Sequence, residues 1–99
     1  MTIRPEVWLD FDEAEEWYRG IQESLVEELA EDFRKTITRI TEAPGAYAVR
    51  GRHRIRRARL KVFPYYILFV KHADDVIVFS MDHVKRHPRT WGRKFRRRI

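Results

Sequence analysis

The apolar residues of this chain pass from helical to strand spacing at Pro44-Gly45, and that change limits the fold more than any other feature. Before it, Phe11, Ala14, Trp17/Tyr18 and Ile21 recur at steps of three and four residues, and Leu25, Leu29, Phe33, Ile37 and Ile40 extend the stripe. That is the period of an amphipathic helix, which lays one side on a core. After it, apolar and β-branched residues alternate or run together, as strands require. Pro44 stops the helix, because its ring removes an amide donor and clashes with the preceding turn. With 43% hydrophobic residues, 99 residues supply one small core. The expectation is a single domain over residues 1–99 of the α+β class, helices first and sheet after.

Finer boundaries follow from local chemistry. Ile3, Pro5, Val7 and Leu9 alternate with Arg4, Glu6 and Trp8, which predicts a short strand over 3–9. Asp10 is then suited to cap a helix starting near Phe11, with Glu13 as its capping-box partner. Gly20 is expected to break the helical stretch, so that a second helix runs from about Ile21 to Thr41. Residues 54–62 read as a strand with Ile55, Arg57, Arg59 and Lys61 on one face and Arg56, Ala58, Leu60 and Val62 on the other. Tyr65–Lys71 and Val76–Met81 are apolar on both faces, as in central strands, and Ala73-Asp74-Asp75 is the turn between them. The basic tail Lys85–Ile99, interrupted by Pro88 and Gly92, reads as a short irregular or helical extension. The architecture expected is an N-terminal strand, a two-helix hairpin and about three antiparallel strands, with the helices on one sheet face.

Charge and composition narrow the function. Residues 1–49 hold five Arg/Lys against twelve Asp/Glu, a net of −7, whereas residues 50–99 hold sixteen against three, a net of +13. A cationic surface beside an acidic scaffold attracts phosphate backbones or acidic protein segments; solvated charge with internal ion pairs is the plainer reading. The longest apolar run, Tyr65–Val70, has six residues, far short of the roughly 20 that span a bilayer. Met1-Thr2-Ile3-Arg4-Pro5 meets a charge at once and lacks a signal-like apolar stretch, which points to the cytoplasm. The absence of cysteine removes disulfides, thiolate nucleophiles and Cys-based zinc sites.

Several residues in order resemble the RelE/ParE superfamily of bacterial toxins, in its plasmid-stabilisation branch of type II toxin–antitoxin systems. They are Ala14 with Trp17-Tyr18 and Gln22, Phe33, Pro44, Arg56-Arg57-Ala58 leading to Phe63-Pro64-Tyr65, and His83-x-x-Arg86-x-Pro88-x-x-Trp91. The resemblance covers nearly the whole chain. It implies a strand–helix–helix–sheet fold, a cognate antitoxin bound in a hetero-oligomer, and action on translation or replication. RelE-like members cut messenger RNA in the ribosome, and ParE-like members poison DNA gyrase; fold alone does not choose between them.

RNA cleavage by the 2′-hydroxyl requires a proton acceptor, stabilisation of the phosphorane and a proton for the leaving oxygen. Arg57, Arg59 and Lys61, projecting from one strand face, are candidates to clamp phosphate and stabilise its charge, Arg59 also within the reaction. An exposed strand face or a dock for an acidic antitoxin segment are the other readings of that row. His83 is a candidate acid or base by its ordinary titration near neutrality. Arg86 matches, by the resemblance, a phosphate-contacting arginine of nuclease members; a salt bridge to Asp82 is its other reading. Tyr65 or Tyr66 offers a ring for stacking or a phenol, but alternation sends them to opposite faces. His83 and His87 have helical metal spacing, yet Pro88 and the lack of a nearby acid argue against zinc, so neither metal nor cofactor is assigned. Trp91 is expected to pin the tail to the core, Trp17 to pack between helix and sheet, and Tyr18 to be partly exposed. Arg93, Lys94, Arg96, Arg97 and Arg98 suit nonspecific phosphate attraction.

Overall fold

The computed structural model describes all residues, Met1–Ile99. Its elements are β1 (Thr2–Ile3), α1 (Glu6–Ile21), α2 (Ser24–Glu42), a 3₁₀ turn (Pro44–Ala46), β2 (Arg56–Arg59), β3 (Tyr65–His72), β4 (Asp75–His83) and α3 (Arg89–Arg98). The α+β class and the helix-then-sheet order are as the change of period implies. The sheet order is β1-β4-β3-β2, an antiparallel β2–β3–β4 meander with β1 added parallel to β4.

Three boundaries differ from expectation. The strand over 3–9 shrinks to Thr2–Ile3, because Pro5 takes helical angles (φ −55°, ψ −32°) and opens α1 at Glu6. Proline is favoured at a helix start, where its missing amide costs nothing. Val7, Phe11, Ala14 and Tyr18 then form the inward stripe, so Asp10 lies inside α1 rather than capping it. Gly20 does not break the helix; the break comes at Gln22, whose backbone is extended (φ −163°, ψ 127°). Strand β2 ends at Arg59, because the Asp32 carboxylate, 5% exposed on α2, accepts the amides of Lys61 (3.0 Å), Val62 (2.8 Å) and Phe63 (2.9 Å). Three charge-assisted bonds curl the segment away from the ladder.

The α1–α2 hairpin covers one face of the sheet, packing Val7, Ala14, Leu29, Phe33 and Ile40 on Ala58, Leu60, Phe63, Ile67, Phe69, Val76, Val78 and Met81. Each fully buried large apolar side chain there contributes roughly 1.5–3 kcal/mol. The basic tail forms α3 and packs on the opposite face, where Trp91 and Phe95 meet Ile55, Leu68, Val70 and Phe79. Trp91 is 4% exposed, as expected of an anchor. Two of the tail's cations serve the fold: Lys94 Nζ meets Asp82 Oδ1 at 2.7 Å, and Arg98 bonds both oxygens of Asp10 (2.6 and 3.1 Å). The Asp10 bond and charge hold the Arg98 guanidinium pKa above its usual value.

A β-bulge sets the facing of the last strand. Leu68 pairs with Ser80 but Phe69 pairs with Val78, leaving Phe79 extra. Phe79 and Ser80 both turn to α3, the first in its apolar cluster and the second bonded to Asp82 beside Lys94 and Arg98. Parity is thereby reset, so that Met81 enters the hairpin-side core and Asp82 faces α3.

Candidate phosphodiester site

The same reset brings His83 over to Tyr65. The two are ladder partners across β3 and β4, and their rings meet edge to face at 5.3 Å. Tyr18 of α1 comes from the hairpin side, 6.3 Å from the Tyr65 ring and 4.8 Å from Phe63. Beyond β4 the chain turns, with the Val84 amide on the Pro64 carbonyl (2.9 Å) and the Arg86 amide on the His83 carbonyl (2.9 Å). This returns the exposed Arg86 to the same place. Tyr65, His83, Arg86, Tyr18 and Glu13 line one open cleft of about 810 Å³.

The protonation chemistry of the cleft is specific. Burial, the neighbouring Tyr18 phenol and the Glu13 charge push the Tyr65 hydroxyl from 10.0 up to about 12, against the opposing charge of Arg86. Tyr65 therefore keeps its proton at neutral pH and acts as a donor. His83 Nδ1 accepts the Lys85 amide at 3.1 Å. In neutral His83 that bond assigns the hydrogen to Nε2, again a donor. Of the acids that line the cleft, Asp10 is bound to Arg98, Glu13 and Glu16 carry no salt bridge, and Glu13 is the one whose charge acts on Tyr65.

Of the residues singled out in the sequence, Tyr65, His83 and Arg86 are brought together, and Arg57, Arg59 and Lys61 are not. Arg57 lies on the α3 face with its guanidinium carbon 4.6 Å from the Tyr66 ring centre and 5.8 Å from that of Trp91. Arg59 is exposed and bonds the Leu60 carbonyl (2.8 Å). Lys61 sits in the curled segment, at a groove shared with Glu27, Glu28 and Glu31 of α2. The single cationic row therefore does not form, since the Asp32 bonds end the strand before Lys61 and α3 covers the face that Arg57 shares. Arg86 forms no salt bridge to Asp82, whose partner is Lys94.

Trp17 is also displaced from its expected place. It is 68% exposed at the cleft rim, and Ile21 beside it is 63% exposed. Val7, Phe11, Ala14 and Tyr18 share one helix face by their spacing, and Trp17 stands about 100° around the helix from Tyr18, outside it. Sequence reasoning missed Glu13 as a member of the site; its spacing of five from Tyr18 was visible, but its neighbour Tyr65 is distant in sequence. Compared with protein-family models and with curated proteins, the chain matches none.

Proposed function

We propose that this chain is the toxin of a type II toxin–antitoxin pair, a ribosome-dependent messenger RNA endonuclease that uses no metal. The convergence of Tyr65, His83 and Arg86 in one open cleft carries the reading, and the resemblance of the His83-x-x-Arg86-x-Pro88-x-x-Trp91 pattern supports it. Arg86 holds the scissile phosphate and stabilises the phosphorane. The Glu13 carboxylate takes the 2′-hydroxyl proton as the oxygen attacks phosphorus. The P–O5′ bond breaks, and the Tyr65 phenol supplies the proton to the leaving oxygen. His83 donates from Nε2 to a non-bridging oxygen. An acidic antitoxin segment neutralises the toxin in a hetero-oligomer by covering its cationic surface.

The second reading is a ParE-like gyrase inhibitor that acts by protein contact. Exposed Trp17 and Ile21 on the cleft rim favour it, because aromatic and aliphatic groups of this kind anchor protein interfaces. Primer-extension mapping of cellular messenger RNA after induction, beside a gyrase supercoiling assay, separates the two. New 5′ ends at A-site codons, lost in Arg86→Ala with the thermal midpoint unchanged, are expected. Trapped gyrase–DNA complexes with intact messenger RNA, lost in Trp17→Ala, would replace the nuclease reading by the second. Absence of any growth effect would overturn both.

A further inference from the structure

On the far face of the sheet, a cleft of about 470 Å³ opens between the 50–55 loop and the start of α3. Arg50, Arg52, Arg57, Arg89 and Arg96 line it, and no carboxylate does. None of these five forms a salt bridge, although Arg19, Arg34, Lys35, Lys94 and Arg98 all do. Five like charges gathered without a counter-charge repel one another, and a bound anion relieves that repulsion.

Two buried atoms point the same way. Trp91 is nine-tenths buried and lines the cleft, yet its indole Nε1, which can only donate, has no partner. His53 Nε2 is likewise buried without a partner, its ring stacked on Phe95 at 4.8 Å. Buried polar atoms are nearly always bonded, so the Trp91 N–H lacks an acceptor, and His53 Nε2 lacks a partner, in the wall of one cleft. Gly92 keeps the space open: a Cβ there would stand 3.3 Å from His53 Cδ2, 3.6 Å from its Nε2 and 3.9 Å from Arg96 Nη1. The helix accepts a glycine in its interior, where alanine is intrinsically preferred. The loop that carries Arg52 and His53 is held by the paired Arg50–Ile55 amides (2.8 and 3.0 Å), with Gly51 and Arg54 at φ +69° and +56°.

We propose that this cleft is a phosphate-binding site, taking the phosphate of a nucleotide or of a single RNA or DNA strand. Forked guanidinium groups match phosphate oxygens bidentately, and together with the indole N–H they outnumber what one carboxylate accepts. The site stands whether or not the Tyr65 cleft cuts RNA, because it lies on the opposite face and shares no residue with it.

The test is a ¹H–¹⁵N titration that follows the Trp91 indole resonance. The ligands are inorganic phosphate, a short single-stranded oligonucleotide with and without a 5′-phosphate, and an all-glutamate peptide. The indole resonance should move with phosphate and with oligonucleotide. Preference for the phosphorylated strand assigns the terminal phosphate, and equal binding assigns internal phosphodiesters; both support the site. Arg52→Gln with Arg96→Gln should weaken oligonucleotide binding by about tenfold or more, whereas Arg34→Gln on α2 should leave it unchanged. Should the double variant fail to fold, Arg52→Gln alone, on an exposed loop residue, should still weaken binding. A motionless indole resonance, unaltered affinity in a folded variant, or equal binding of the glutamate peptide would overturn the proposal.

Discussion

Asp32 shows how much one side chain can decide. Its carboxylate accepts three consecutive amides of the β2–β3 connection while its own carbonyl accepts the Thr36 hydroxyl at 2.8 Å. Asp32→Ala leaves those amides without their acceptor and should cost about 3 kcal/mol in urea unfolding; Asp32→Asn, which keeps one oxygen, should cost less. The role was not legible, because an acid beside Phe33 in an apolar stripe reads as a boundary of that stripe, and its partners lie about thirty residues on. Tyr65 gives a second residue-scale prediction. Its phenol is about 12 in the folded chain against 10.0 ordinarily, so the stabilisation is complete below pH 10 and is lost as pH rises from 10 to 12. Over that interval the thermal midpoint should fall more steeply in the wild type than in Tyr65→Phe, and phenolate absorbance should show one late-titrating tyrosine.

Among the elements, those with a long regular period were readable and those fixed by distant partners were not. The stripe from Leu25 to Ile40 gave α2 within a few residues of its ends, and the β-branched runs gave β3 and β4. Strand β1 was overextended, because Val7 and Leu9 satisfy a two-residue period as well as a helical one and only the proline's angles decide. Helix α3 was open in the sequence, since its anchor Trp91 and its clamp Arg98 act through β4 and α1. The clamp predicts how α3 is held. Asp10→Ala leaves the Arg98 guanidinium without its carboxylate and should destabilise the chain by about 3 kcal/mol, whereas Asp10→Ala with Arg98→Met should cost less than the single change. Hydrogen exchange at the α3 amides should speed up first in the single variant.

At the scale of the whole molecule, the opposed charges of the two halves do not become one acidic and one cationic wall. Acids of α1 enter the Tyr65 cleft, and basic groups divide between that cleft, the far-face cleft and internal pairs. The sequence pattern showed which residues alternate but not where a strand would end: it set His83 and Arg86 with Arg57, Arg59 and Lys61, a row that does not form, and Tyr65 meets His83 only through the bulge in β4. Binding of single-stranded RNA should weaken linearly on a log–log salt plot, and replacing two far-face arginines by glutamine should reduce the slope by about 1.4. The extra residue at Phe79 bears on how a gene for this fold can drift. Loss of its codon would join Val78 to Ser80 in plain alternation and leave Met81, Asp82 and His83 on their present faces, so β4 can shed this one residue without losing its register to Tyr65, at the cost of the Phe79 ring beneath Phe95.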